Sequence, residues 1–97
     1  MDKTQTAIHR GARAEALLKD EIMAETFAGV RSAIIDQWAT CPLRDKEGAH
    51  ELRLMLKLLD DVKGNIERIA RDGVLAKAEL EIKRTKAEKI KRAIRGL

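Results

Sequence analysis

The chain has 97 residues, enough for one small domain, with 37% charged and 44% hydrophobic residues. This balance excludes a membrane-embedded protein and is unlike a disordered acidic chain. Aromatic residues make up only 2% and Cys41 is the single cysteine. The sequence therefore predicts a core of aliphatic side chains and no internal disulfide.

The net charge of +4 is distributed unevenly along the chain. Residues 1–76 contain 12 basic and 13 acidic residues, whereas residues 77–97 contain 8 basic and 3 acidic residues. The sequence therefore predicts two parts, a helical module over residues 1–76 and a basic amphipathic helical extension over residues 77–97.

The first two predicted helices lie on either side of Asp20. Residues 4–19 have weak apolar periodicity, and Gly11 weakens this helix by about 1 kcal/mol relative to Ala. Asp20 is predicted to cap the second helix. That helix carries an apolar stripe at steps of four, three, four and four residues, which share one face: Met23, Phe27, Val30, Ile34 and Trp38. The alternative is that the two segments form one bent helix.

A turn is predicted over residues 41–45. Pro42 lacks an N–H and disfavours the helical conformation at Cys41, while Asp45 is a good N-cap for the next helix. This pattern favours a tight connection between antiparallel helices. Within them, Phe27 and Trp38 are predicted to anchor the core.

From Leu52 onward, an alternating three-and-four frame predicts a coiled-coil-like seam in a long helix. A continuous helix from residue 52 to residue 97 would measure about 70 Å. The N-terminal helices are too short to cover such a seam, so it predicts self-association or docking on a larger assembly. The predicted helix–helix interface comprises Leu52, Met55, Leu59, Val62, Ile66, Ile69, Leu80, Ile90 and Ile94.

Two residues interrupt the seam. Asp72-Gly73 is a common turn pair, which favours a helix end near Arg71 and a new helix from Val74. The alternative is a continuous helix in which Gly73 lets another helix approach closely. Lys83 either fixes the register of a helix pair or marks where the seam becomes solvated.

The residues with reactive or metal-binding side chains do not form a recognisable site. His9 and His50 are 41 residues apart without the spacing of a metal site, and nothing near Cys41 in the sequence supplies a base. Asp60 and Asp61 are adjacent and point about 100° apart on a helix. The sequence therefore predicts a non-enzymatic protein with no catalytic residues, metal, cofactor or small-molecule substrate.

The basic extension is the best candidate for a functional contact. Three interpretations are open. The basic face of this helix is solvated, or it binds an anionic partner, or the helix both ends a coiled coil and makes an electrostatic contact. The anionic partners considered are nucleic acid, an acidic protein and a membrane surface. Contact with DNA would be through phosphates and nonspecific in sequence. The candidate residues are Lys83, Arg84, Lys86, Lys89, Lys91, Arg92 and Arg95.

One further pattern combines residues of all the predicted helices and the turn at fixed spacings: Arg10-Gly11, Ala14, Leu17-Leu18, Asp20, Phe27, Ile34-Ile35, Trp38, Pro42, Arg44-Asp45, Asp72-Gly73, Ala76 and Leu80. This order resembles a group of short all-helical proteins of tailed bacteriophages that are encoded among virion and packaging genes. The resemblance covers roughly residues 9–82 and implies a role in particle assembly without an active site.

We expect an all-α protein, a helical hairpin or small bundle with a long coiled-coil-like C-terminal helix. The leading prediction is a structural or assembly protein of a bacteriophage particle that forms a homo-oligomer or joins a larger viral assembly. A DNA-binding or packaging factor and an inhibitor of a host protein are the alternatives. The chain lacks a signal-peptide pattern and an apolar span, so the host cytoplasm or the virion is the expected location.

Overall fold

The structure, a computed structural model, describes residues 2–96 and contains three α-helices in this part of the chain. Helix α1 spans Lys3–Lys19, α2 spans Glu21–Thr40 and α3 spans Lys46–Arg95. The predicted all-α class with a long C-terminal helix is confirmed. Ala, Leu, Lys, Arg and Glu dominate α1 and α3, which favours helix at most of their positions, whereas α2 lacks Leu and Lys and is rich in Ala and Ile.

A single residue separates the first two helices. Asp20 has an extended backbone, with φ −67° and ψ 124°, and its N–H donates to the carbonyl oxygens of Ala16 and Leu17. Its carboxylate accepts from the N–H of Met23 at 2.9 Å. The predicted cap is therefore confirmed, and α1 and α2 are two helices rather than one bent helix.

The turn before α3 is built as the sequence predicted. The N–H of Asp45 donates to the carbonyl oxygen of Pro42 at 2.9 Å, which closes the turn. The carboxylate of Asp45 then accepts from the N–H of Gly48, also at 2.9 Å, and satisfies a donor that a helix start leaves unpaired.

Helix α3 continues without a break through Gly73, so the favoured prediction of a helix end near Arg71 is wrong. No glycine among residues 2–96 has a positive φ, which a helix-terminating C′ glycine would need. Gly73 instead faces Gly11 of α1. A Cβ built on Gly73 would lie 2.6 Å from the Gly11 Cα and 3.0 Å from the Ala7 carbonyl oxygen. The alternative prediction, a close helix approach at Gly73, is confirmed.

Both short helices run antiparallel to α3. Gly11 lies against Gly73, and Ala14 and Leu17 line one hollow with Ile66 and Ile69. Farther along, Arg31 of α2 contacts Asp60, and Ile34 lines a hollow with Leu52 and Leu56. The result is a hairpin whose first arm is α1 followed by α2 and whose second arm is α3, with overall dimensions of 80 × 25 × 20 Å.

The hairpin has very little interior. Ala14 and Ile34 are the only buried hydrophobic side chains among the described residues. The accessible surface is 8273 Å², whereas a compact chain of 10.9 kDa exposes about 5,600 Å². The difference, about 2,700 Å², is surface that a globular fold of this size would bury.

Candidate functional site

The structure divides the predicted seam into covered and uncovered parts. Leu52, Leu59, Ile66, Ile69 and Leu80 are half-buried in the hairpin. Four other predicted interface residues are exposed and have no cover within the chain: Met55, Val62, Ile90 and Ile94. For these four, contact with another chain stays a prediction.

The uncovered positions near the turn follow from where α2 lies. Leu56, outside the predicted frame, is half-buried and lines a hollow with Ile34 and Leu52. Helix α2 therefore contacts the flank of α3 that carries Leu56, one residue beyond the frame position Met55. A spacing of four residues from Leu52 to Leu56 was the signal that sequence reasoning missed.

Trp38 is 56% exposed, so the prediction that it anchors the core is wrong for the single chain. It lies in the last turn of α2 and borders the open hollow that Ile34 forms with Leu52 and Leu56. Phe27 is half-buried and lines a hollow of about 250 Å³ with Leu59 and Ile66. Large apolar surface therefore remains at the turn end of the hairpin.

Two polar residues that line the Phe27 hollow, Arg31 and Asp60, form an ion pair. Arg31 Nε donates to Asp60 Oδ1 at 3.2 Å, and both side chains are about half exposed. This ion pair joins α2 to α3. Because water reaches both partners, it contributes at most about 1 kcal/mol.

Cys41 lies in the turn with its thiol beside Asp45. Its Sγ is 3.7 Å from the Asp45 carbonyl oxygen and 3.9 Å from a carboxylate oxygen of the same residue. Desolvation and the negative charge of Asp45 raise the pKa of the Cys41 thiol. The thiol is therefore held protonated at neutral pH, the opposite of what an activated nucleophile needs.

The end of α3 beyond residue 81 is exposed over its whole length, and we call residues 82–96 the basic segment. It contains seven basic residues and one acidic residue, Glu88, for a net charge of +6. All seven predicted anionic-partner contacts lie on it and are exposed: Lys83, Arg84, Lys86, Lys89, Lys91, Arg92 and Arg95. Arg84 also lies 3.6 Å from Glu81, its only ion pair among the described residues.

The opposite end of the molecule has the opposite charge. Residues 20–61, which form α2, the turn and the start of α3, contain nine acidic and five basic residues. Their net charge is −4, and we call this region the acidic half. Since α3 is about 75 Å long, the hairpin is a rod with charge of opposite sign at its two ends.

Within residues 2–96, no three His, Cys, Asp or Glu side chains are grouped closely enough to hold a metal ion. None of the helices in this range combines the length and apolar character needed to cross a bilayer.

Comparison with known protein families, curated proteins and solved structures finds no match for this chain. The structure therefore defines only the fold class. The chain is an all-α helical hairpin with exposed apolar helix faces and a basic segment at the end of α3.

Proposed function

We propose that the chain is a non-enzymatic structural or assembly protein of a bacteriophage particle, acting through helix–helix self-association or docking on a larger virion component. The observation that carries the proposal is the amount of exposed apolar surface on long helices. Patches of this kind on a soluble protein mark interaction sites. The viral setting rests on the resemblance in spacing over residues 9–82.

The thin core supports the same proposal. With two buried hydrophobic side chains in the described residues, the isolated hairpin buries little apolar surface to offset the entropy of ordering its chain. A partner that covers the exposed faces adds the missing stabilisation. Helices of this kind most readily pack on other helices.

Sedimentation equilibrium tests self-association, and quantification of the protein in purified particles tests the assembly role. We expect an oligomer at micromolar concentration and a fixed copy number per particle or per assembly intermediate. A monomer at every concentration, with no binding to purified capsid, portal or tail components, contradicts the proposal.

A DNA-binding or packaging role is the second candidate, favoured by the net +6 of the basic segment. Its seven exposed cations suit phosphate contacts, and the logarithm of the affinity should then fall by about 0.9 per phosphate contact for each tenfold rise in salt. Fluorescence anisotropy with duplex DNA of arbitrary sequence measures this slope.

Two double variants that each remove two positive charges test whether DNA binds the basic segment or is attracted to positive charge anywhere on the chain. Replacing Lys91 and Arg92 by Gln should weaken DNA binding, whereas replacing Arg10 and Arg13 of α1 by Gln should leave it nearly unchanged. Equal losses in both variants, or an affinity insensitive to salt, argue against a DNA-binding segment.

A further inference from the structure

Four exposed apolar residues of α3 lie on one side of the helix. Leu54 and Ile90 are 36 residues apart, as are Leu58 and Ile94, and this distance corresponds to about ten complete turns. Leu54 and Leu58 lie one turn apart, and so do Ile90 and Ile94. We call these four residues the outer face; their exposed fractions are 46%, 64%, 60% and 63% in chain order.

We propose that a second copy of this chain covers the outer face, with the two α3 helices antiparallel and the basic segment of each copy lying along the acidic half of the other. This inference rests on the proposed function and specifies the partner and its orientation. It gives a closed dimer with a two-fold axis near residue 74 of each chain.

The distribution of apolar residues suits this symmetry. A two-fold interface uses the same patch on both subunits, so that residue i contacts residue j and j contacts i. Placing Leu54 opposite Ile94 of the second copy also places Leu58 opposite its Ile90. This one arrangement covers the Leu54–Leu58 pair and the Ile90–Ile94 pair of both copies. A parallel pair would instead place each apolar pair against its own counterpart and would bring charges of the same sign together.

Charge complementarity selects the same orientation and register. In the register set by the apolar pairs, Asp61 lies beside Lys86 of the second copy and Arg68 lies beside its Glu79, all four being exposed in the single chain. The basic segment, with a net charge of +6, lies along residues 46–61 of the other copy's α3, whose net charge is −1. The remaining −3 of the acidic half is on α2 and the turn, away from this contact. A parallel dimer would instead bring the two basic segments together.

The available surface is sufficient for a stable dimer. The single chain exposes about 2,700 Å² more than a compact chain of the same mass. A stable interface needs about 800 Å² from each partner. Helix α1 packs on the side of α3 that carries Ile66, Gly73 and Leu80, about 80° from the outer face. Its flank with Arg10 and Arg13 reaches Ile69, about 40° from that face, so α1 borders the contact near the two-fold axis.

Matched substitutions in the full chain test the outer face. Ile90→Glu should raise the dimer dissociation constant by about tenfold or more, because a carboxylate replaces an apolar contact in two places. Ile82→Glu makes the same chemical change at a residue that is also exposed but lies about 80° away on the helix. It should change the constant by less than about threefold. Equal effects of the two variants overturn the proposal.

A charge exchange tests the register. Asp61→Lys should weaken the dimer by placing two cations together, and Lys86→Glu should weaken it by placing two carboxylates together. The double variant should recover most of the loss, which sedimentation of the four proteins measures as a coupling. Additive losses without recovery rule out this register.

Energy transfer between labelled chains tests the orientation. Dyes on Cys41 of both copies should lie about 80 Å apart and show almost no transfer, because the two turns are at opposite ends. A donor on Cys41 and an acceptor on an Ala93→Cys, Cys41→Ser chain should lie within about 30 Å and transfer efficiently. The reverse pattern identifies a parallel dimer, which overturns this inference and leaves the proposed function intact. A monomer overturns this inference, and it overturns the proposed function as well only if the chain also binds no purified capsid, portal or tail component.

Discussion

The two glycines at the closest point of the hairpin have a role that their helix propensity opposes. Glycine within a helix costs about 1 kcal/mol relative to alanine. Gly11 and Gly73 nevertheless occupy facing positions, and a Cβ on Gly11 would lie 2.5 Å from the Gly73 Cα. The absence of both side chains lets the two backbones touch, so that the packing between α1 and α3 outweighs the local cost.

The sign of a glycine-to-alanine substitution tests this interpretation. Gly11→Ala and Gly73→Ala should each lower the free energy of unfolding by about 1–3 kcal/mol, as overpacking does. Gly29 in α2 has no atom within 4 Å of a built Cβ. Gly29→Ala should therefore raise the free energy of unfolding by about 0.5–1 kcal/mol. Urea unfolding followed by circular dichroism measures all three, and stabilisation by Gly73→Ala would falsify the close contact.

The turn cysteine gives a second prediction at this scale. Asp45→Asn removes the charge that contributes to the raised pKa of Cys41, while Asn is about as good an N-cap as Asp. The thiol pKa should fall, so the rate of alkylation by iodoacetamide at pH 8 should rise severalfold. The pH profile should shift to lower pH for this variant. Identical profiles for the two folded proteins would show that Asp45 does not act on the thiol.

Among the helices, the boundary at Asp20 controls the shape of the first arm. Asp20 ends α1 and caps α2, so the arm can change direction where it passes from the Gly73 region to the Leu56 region of α3. Sequence reasoning predicted this cap and that of Asp45, because capping depends on local hydrogen bonds within one turn of helix.

Replacement of Asp20 tests the value of the boundary. Asp20→Ala should lower the free energy of unfolding by about 1 kcal/mol, because the N–H of Met23 loses its acceptor at a helix start. Asp20→Asn keeps an acceptor and should stay within a few tenths of a kcal/mol of the natural protein. Chemical denaturation distinguishes them. If Asn is as damaging as Ala, the negative charge rather than the cap is responsible.

The course of α3 through Gly73 illustrates a limit of local sequence signals. Asp-Gly favours a turn when nothing else constrains the chain. Here α1 packs directly on Gly73, and the helical hydrogen bonds continue on both sides. The decisive contact comes from Gly11, which lies 62 positions earlier in the sequence, so no local pattern around Gly73 reveals it.

For the whole molecule, the proposed association predicts that stability depends on protein concentration. If partners cover the apolar faces, the melting temperature should rise with protein concentration, since binding stabilises only the folded state. A tenfold rise in concentration should raise it by several degrees, corresponding to about 1.4 kcal/mol per dimer. Circular dichroism melts over a hundredfold concentration range measure this. A constant melting temperature would indicate an intrinsically stable monomer.

The sequence by itself determined the helical class, the turn at residues 41–45 and the caps at Asp20 and Asp45. These features depend on residue propensities and on hydrogen bonds between near neighbours. It also determined that the excess positive charge belongs to the end of the last helix. The role of the chain in a phage particle, its self-association and its contact with an anionic partner stay predictions.

Only the tertiary structure decided which residues of the seam are covered. Apolar periodicity identifies one side of a helix, but Met55 and Leu56 both border that side, and the path of α2 determines which of them is buried. The same holds for Trp38. Its place in the apolar stripe of α2 predicted a buried side chain, but no other segment of the thin hairpin covers it. Burial depends on where distant segments pack, and helical spacing within one segment does not contain that information.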